Sequence, residues 1–125
     1  MKMKYKIVLR SILIVILTLF ILISIFLIND GYTIRIVTSK SMEPEIKVNS
    51  INIIKQCNIN DIHIGDIICF KYNKDIIHRV IDITNDSGKT MIHTKGDANK
   101  KEDNIDIFED MVIGKVMYTF NIIGE

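Results

Sequence analysis

From residue 11 to residue 28 the chain carries no charge and is almost wholly Ile, Leu, Val and Phe, a run of 18 residues that constrains everything after it. At 1.5 Å of rise per residue such a run spans about 27 Å as a helix, close to the ~30 Å hydrocarbon core of a bilayer. Ile7, Val8 and Leu9 can extend it. The expectation is a transmembrane helix over residues 11–28. A cleaved signal peptide also opens with basic residues and an apolar stretch, but that stretch is usually about 7–15 residues long and ends at a small-x-small site. Here the run is followed by Asn29-Asp30-Gly31-Tyr32-Thr33, which offers no such pair. The segment is therefore read as an uncleaved anchor.

Charge sets the expected direction. Lys2, Lys4, Lys6 and Arg10 precede the apolar run and Asp30 follows it, so the positive-inside rule puts residues 1–10 in the cytoplasm and residues 29–125 outside the cell membrane. Of the 16 basic residues these four stand in the first 29, leaving twelve against 15 acids in the outer part. A net acidic domain without a Lys/Arg cluster argues against a nucleic-acid partner. The outer compartment permits a disulfide between Cys57 and Cys69, but Cys69 sits in an apolar strand pattern, where a small buried hydrophobe is the commoner role. No Cys-x-x-Cys or His-rich spacing suggests a metal, and no cofactor is called for.

Beyond Tyr32 the apolar residues alternate in short Ile-rich runs bounded by Asn, Asp, Gly, Ser and Lys, which is the pattern of strands rather than helices. Strands are expected over 32–37, 50–55, 66–72, 76–84, 90–94 and 111–120. Asn85-Asp86-Ser87-Gly88 reads as a hairpin turn with Gly88 supplying a positive φ, and Tyr72-Asn73-Lys74-Asp75 as another. The fold class is mostly β: one N-terminal transmembrane helix, then a small, mainly antiparallel barrel or sandwich. Residues 95–110 break the pattern as a polar, acidic loop.

A second break falls at Thr38-Ser39-Lys40-Ser41-Met42-Glu43-Pro44, which holds the chain's single proline. Pro44 biases Glu43 away from α geometry, so a rigid turn would hold Ser41 in a fixed direction. A serine nucleophile needs a base. His78 shares strand parity with Ile76 and Val80 and so points to the apolar face, where it is either a packed core residue or a general base screened from water. His63 lies in a turn and reads as surface. His93, in a short strand before Thr94-Lys95-Gly96-Asp97, competes with His78 on spacing alone. A neutral His base is oriented by a carboxylate, and the polar loop offers Asp97, Glu102, Asp103 and Asp106, which on composition alone read as solvated charge.

Taken together, these segments resemble signal peptidase I, in the endoplasmic-reticulum-type branch that archaea and some Gram-positive bacteria share. Ser39-Lys40-Ser41-Met42-Glu43-Pro44 is similar to that family's S-x-S-M-x-P box, and Ile64-Gly65-Asp66-Ile67-Ile68-Cys69-Phe70 to its Gly-Asp-hydrophobic strand. Ile77-His78-Arg79-Val80 resembles the H-R-[VI] box, in which His replaces the Lys of the common bacterial enzymes. Thr94-Lys95-Gly96-Asp97-Ala98-Asn99 with Asp103 beyond it resembles the T-K-G-D-N-N box and its downstream acid, with Ala98 in place of the first Asn and Glu102 before the acid. Val112-Ile113-Gly114-Lys115-Val116 is similar to the closing G-[KR]-V strand.

The resemblance implies a membrane-anchored serine endopeptidase that removes signal peptides from exported preproteins. Ser41 would be the nucleophile and His78 the general base. Asp103 and Asp97 would be the functional acids, and which of them touches His78 stays open. The Ser39 hydroxyl and Ser41 N–H would form the oxyanion hole. Small residues would be accepted at the first and third positions before the cut. Membrane lipid and exported chains are the expected partners, with a membrane partner subunit left open. Lys95 is read as a solvated charge, a lysine base being its rival role. The alternative is a catalytically silent accessory module that binds exported chains at the membrane surface.

Overall fold

The computed structural model describes residues 1–122; the last three residues of the expected 29–125 domain lie outside the described residues. The chain divides into two compact units, residues 1–32 and 33–125.

The first unit is the helix α1, Lys2–Asn29, which takes in the basic N-terminus as well as the apolar run. None of its residues is buried within the chain, and it is long and apolar enough to cross a membrane. Residues so apolar on every side have no partner face in a globular unit, which is the pattern of a segment solvated by lipid. Ser11, Thr18 and Ser24 interrupt the run without leaving a hydroxyl unpaired, since each donates to the carbonyl four residues back, at 3.0, 2.8 and 2.8 Å.

The second unit is a six-stranded sheet made of β1 (Tyr32–Ile36), β2 (Ile51–Lys55), β3 (Ile67–Tyr72), β4 (Lys74–Asp86), β5 (Lys89–Lys95) and β6 (Val112–Phe120), in the order β1-β2-β6-β3-β4-β5. The pairings of β2 with β6, β6 with β3, β3 with β4 and β4 with β5 are all antiparallel. The mostly β reading and its six strand positions therefore stand. The sheet curls, because Arg35 on β1 reaches Asp75 on β4 although three strands lie between them in the order.

The β4–β5 turn is tighter than the four residues expected. Strand pairing continues to Asp86 and Lys89, and only Ser87 (φ 54°) and Gly88 (φ 81°) turn the chain. Two successive positive φ values match the right-handed twist of the flanking strands. Asn73, at φ 61°, makes the β3–β4 turn in the conformation that Asn tolerates best after Gly.

The main core packs Ile59, Ile62, Ile68, Phe70, Val80, Ile92 and Ile107. Ile107 comes from the polar loop and bridges to Ile92, so that loop is pinned to the sheet by one fully buried side chain. A smaller cluster of Val37, Met42 and Ile46, with Ile67 and Ile77 against it, lies beneath the segment that holds Ser41. A bulge between Val80 and Asp82 shifts the alternation of β4, so that Val80 and Ile83 both pack on the main core despite their odd spacing. Cys57 and Cys69 are free thiols. Burial pushes Cys69 up to about 12, with Asp75 adding to the effect and Arg35 opposing it, so this thiol stays protonated and acts as a small hydrophobe.

Candidate active site

Ser41 is held by its neighbours on both sides. Val37 joins the following segment by two backbone bonds, accepting from Asn49 N–H at 2.7 Å and donating to Ser50 O at 3.2 Å. Met42, 1% exposed, and Ile46 bury themselves in the small cluster. Between these anchors the Glu43–Pro44 peptide is cis, and Ile46 N–H closes a turn on Met42 O at 2.9 Å. The turn that Pro44 suggested thus exists, and it leaves Ser41 half-buried with its backbone held on both sides.

His78 is 8% exposed and shares the buried face of β4 with Val80, as strand parity requires. Its ring meets Phe70 edge-on at 6.5 Å between centroids. One nitrogen reaches each neighbour: Nε2 lies 3.0 Å from Ser41 Oγ, and Nδ1 lies 2.5 Å from Asp103 Oδ2. With Asp103 ionised, the tautomer that satisfies both contacts carries its proton on Nδ1 and donates it to the carboxylate, leaving Nε2 to accept from the Ser41 hydroxyl. Thr94 donates its hydroxyl to the same Asp103 oxygen at 2.7 Å, and Asp103 N–H donates to Thr94 O at 2.8 Å. Sequence reasoning missed Thr94; its parity with the buried Ile92 on β5 was the available signal.

Asp97, the other acid of the resemblance, does something different. Its two oxygens accept from Arg79 Nε at 2.9 Å and Nη2 at 2.8 Å, a bidentate pair. Hydrogen bonding to Arg79 holds the Asp97 carboxyl below its usual range, and the same bonds raise Arg79. Arg79 Nη1 also donates to Gly65 O at 2.9 Å, where Gly65 takes a φ of 97°. The turn that carries Asp97 is in turn tied to the Ser41 segment: Ala98 N–H donates to Ser41 O at 2.8 Å, and Asp97 N–H to Met42 Sδ at 3.4 Å. Only the backbone of residue 98 is used there, so an alanine serves. A Cβ on Gly96 would stand 2.7 Å from Ser41 O, so the approach of the two segments depends on that glycine.

The remaining candidates fall elsewhere. His63 is exposed, with its ring 3.9 Å from Asp66, as a surface turn residue should be. His93 bonds Thr84 Oγ1 at 3.2 Å and sits 3.8 Å from Asp106, away from Ser41. Glu102 is exposed, and Lys95 folds back on Gly96 O at 3.1 Å. Ser39 Oγ lies 3.0 Å from Ser41 Oγ and 3.5 Å from Ser41 N.

A groove of about 300 Å³ opens beside Ser41 and His78, bordered by residues 35–39 on one side and 74–78 on the other. Both borders are free sheet edges among the described residues. β1 ends the strand order, and β4 pairs with β5 only from Arg79 onward. Such edges present unpaired backbone donors and acceptors to an extended peptide. The groove floor has two rungs on one face, Val37 with Ile77 next to the Ser–His pair, and Arg35 with Asp75 two residues farther out.

Comparison with known proteins bears on the family of the chain. The family described as signal peptidase, peptidase S26, matches residues 6–95. Signal peptidase I W of Bacillus subtilis (strain 168) is 29% identical over 127 residues, covering 91% of this chain, and the chain spans 66% of that relative's length. The matched family segment contains Ser41 and His78 and stops before Asp97 and Asp103, whose positions rest on the coordinates alone. With 90 of its 125 residues matched, from 6 to 95, the chain belongs to the signal peptidase, peptidase S26, family.

Proposed function

We propose that this chain is a membrane-anchored serine endopeptidase that cleaves signal peptides from exported preproteins. The observation that carries the reading is the unbroken array Ser41 Oγ, His78 Nε2, His78 Nδ1, Asp103 Oδ2 at 3.0 and 2.5 Å, opening on a groove with two free strand edges. In this reading Ser41 Oγ attacks the scissile carbonyl carbon as its proton passes to His78 Nε2. Asp103 keeps the imidazole in the needed tautomer and stabilises the imidazolium, with Thr94 holding the carboxylate. The carbonyl oxygen gathers negative charge and is met by Ser41 N–H and the Ser39 hydroxyl, which turns from Ser41 Oγ toward it. His78 gives its proton to the leaving amine, and water then releases the acyl group from Ser41 by the same steps in reverse.

The substrate lies as an added strand between β1 and the start of β4. Side chains two apart on a strand share a face, so the first residue before the cut sits over Val37 and Ile77, and the third over Arg35 and Asp75. The helix α1 holds the chain in the membrane, with its basic end in the cytoplasm and the sheet outside, where preproteins emerge. Confinement to that surface raises the effective concentration of substrate.

The test is purified full-length chain in lipid vesicles with a preprotein. The expected result is one cut, after a small residue with another small residue two positions earlier, read by mass spectrometry of both fragments and lost in Ser41→Ala. Formation of an intact complex with no cut by the wild-type chain would place it among accessory binding modules instead.

A further inference from the structure

Residues 37–50, between β1 and β2, carry Ser41 without belonging to a strand. Their shape depends on bonds to other parts of the sheet, and the far end of the chain supplies two of them. Asn121 is the first residue past β6, and its carboxamide meets both backbone groups that flank Ile46. Its Oδ1 accepts from Lys47 N–H at 3.0 Å, and its Nδ2 donates to Glu45 O at 3.2 Å. These partners fix which way the amide faces, since an N–H needs the oxygen and a carbonyl needs the amino group. Ile46 itself is fully buried with Met42 in the cluster beneath Ser41, and its N–H closes the turn on Met42 O. Asn121 thus does for residues 45–47 what a paired strand would do.

The anchor is in turn held by the sheet. Thr119 and Phe120 pair with Asn52 and Ile51 in the β2–β6 ladder, and the Thr119 hydroxyl donates to Asn52 Oδ1 at 2.8 Å. Asn52, fully buried, donates from Nδ2 to Ser50 Oγ at 3.0 Å and to Ser50 O at 3.4 Å, the same carbonyl that accepts from Val37 N–H. The end of β6 therefore grips the Ser41 segment at its entry, through Ser50 and Val37, and at its exit, through Glu45 and Lys47.

Resting on the peptidase reading, we infer that Asn121 is a positioning residue for Ser41, acting through the turn of residues 42–47. Burial holds Met42 and Ile46 against the sheet, but the hydrophobic effect is non-directional and does not fix how the turn lies there. The two hydrogen bonds of Asn121 supply that direction. With residues 45–47 held, Met42 keeps its seat and Ser41 Oγ keeps its 3.0 Å approach to His78 Nε2. A misplacement of about 1 Å at a reacting group costs about a hundredfold in rate. Stability depends on the clamp far less, because Asn121 is exposed and water takes the place of each bond that is lost.

The experiment measures kcat and KM on a reporter preprotein, with the full-length chain in vesicles as wild type, Asn121→Ala, Asn121→Asp and Ile83→Val, each well below its Tm. Ile83 packs on the main core and not on the cluster beneath Ser41, so its shortening lowers Tm without touching the Ser41 segment. Asn121→Ala is expected to lower kcat by about ten- to a hundredfold with KM within about twofold of wild type. Its Tm should fall no further than that of Ile83→Val, which keeps the wild-type kcat. Asn121→Asp retains an acceptor for Lys47 N–H but turns a carboxylate oxygen on Glu45 O, so it should be no better than Asn121→Ala. An unchanged kcat in Asn121→Ala, beside a wild type that cleaves, overturns this inference alone. A raised KM at constant kcat also overturns it, by assigning Asn121 to substrate binding, and an equal loss of kcat in Ile83→Val does so by assigning the effect to general loosening. An Asn121→Asp chain at the wild-type rate overturns the two-bond clamp as the cause. A wild-type chain that cuts nothing defeats the peptidase reading, and this inference with it.

Discussion

Asp97 and Asp103 stand six residues apart in one loop, yet their surroundings give them opposite tasks. Asp97 faces a permanent cation: the Arg79 guanidinium takes both its oxygens and holds the carboxyl below its usual range. Asp103 faces an imidazole, and its oxygen at 2.5 Å from His78 Nδ1 is also held by Thr94. The first arrangement fixes a turn against the Ser41 segment; the second orients the imidazole that the proposed mechanism uses as base. Arg79 is a permanent cation, whereas an imidazole can change its charge, so the two carboxylates serve different neighbours.

The largest effects that would break this division are at the reacting atoms. Ser41→Ala and His78→Ala are each expected to reduce kcat by about a million-fold, since members of such an array act as a unit. Asp103→Asn should lose about ten-thousand-fold in kcat, because an amide favours the wrong imidazole tautomer, with thermal stability nearly unchanged. Asp97→Asn should reverse that balance. It leaves Arg79 half-paired at the surface and costs about 1–2 kcal/mol, read as a Tm lowered by roughly 4–8 °C per kcal/mol, with a much smaller loss of kcat. Equal kinetic losses in the two amide variants would erase the distinction.

Ser39→Ala is expected to cost about a hundred- to a thousand-fold in kcat, the scale for one oxyanion donor, with KM little changed. Ser39→Thr should recover much of it if the hydroxyl is the active element. Gly96→Ala sharpens the claim that the loop buttresses the nucleophile. Its Cβ would stand 2.7 Å from Ser41 O, so the segment must shift, and kcat should fall although no reacting group is altered.

The pH dependence of stability tests the pair that Asp97 makes. Because Arg79 lowers Asp97 in the folded chain, the pair contributes stability above the unfolded carboxyl value and loses it only as pH falls through the lower folded value, below about pH 4. Tm is therefore expected to hold steady over about pH 5–8 and to begin its fall only at lower pH. A wild-type Tm that already falls between about pH 8 and pH 5, by an amount that Asp97→Asn removes, would contradict that role for the pair.

Much of this site was legible because its signals are local. Pro44 marked the Ser41 turn, and the alternation Ile76, His78, Val80 put the imidazole on the buried face. What the sequence could not settle is the choice between the acids. That choice depends on the path of the loop, set by bonds between distant residues: Asp103 N–H to Thr94 O, and Ala98 N–H to Ser41 O. The bulge at Ile81 and the Arg35–Asp75 contact, 40 residues apart in the chain, were hidden for the same reason. Turn length was misjudged by a smaller margin. Four polar residues were taken as the β4–β5 turn, whereas Asn85 and Asp86 still pair with Thr90 and Lys89.

The most direct measurement is processing of a reporter preprotein in membranes carrying the wild-type chain, Ser41→Ala, His78→Ala, Asp103→Ala or Asp97→Ala at matched expression. The account predicts rapid cleavage by the wild type, none by the Ser41 and His78 variants, a residue of activity in Asp103→Ala and substantial cleavage by folded Asp97→Ala. Five chains that behave alike, or a Ser41→Ala chain that still cuts, would contradict it.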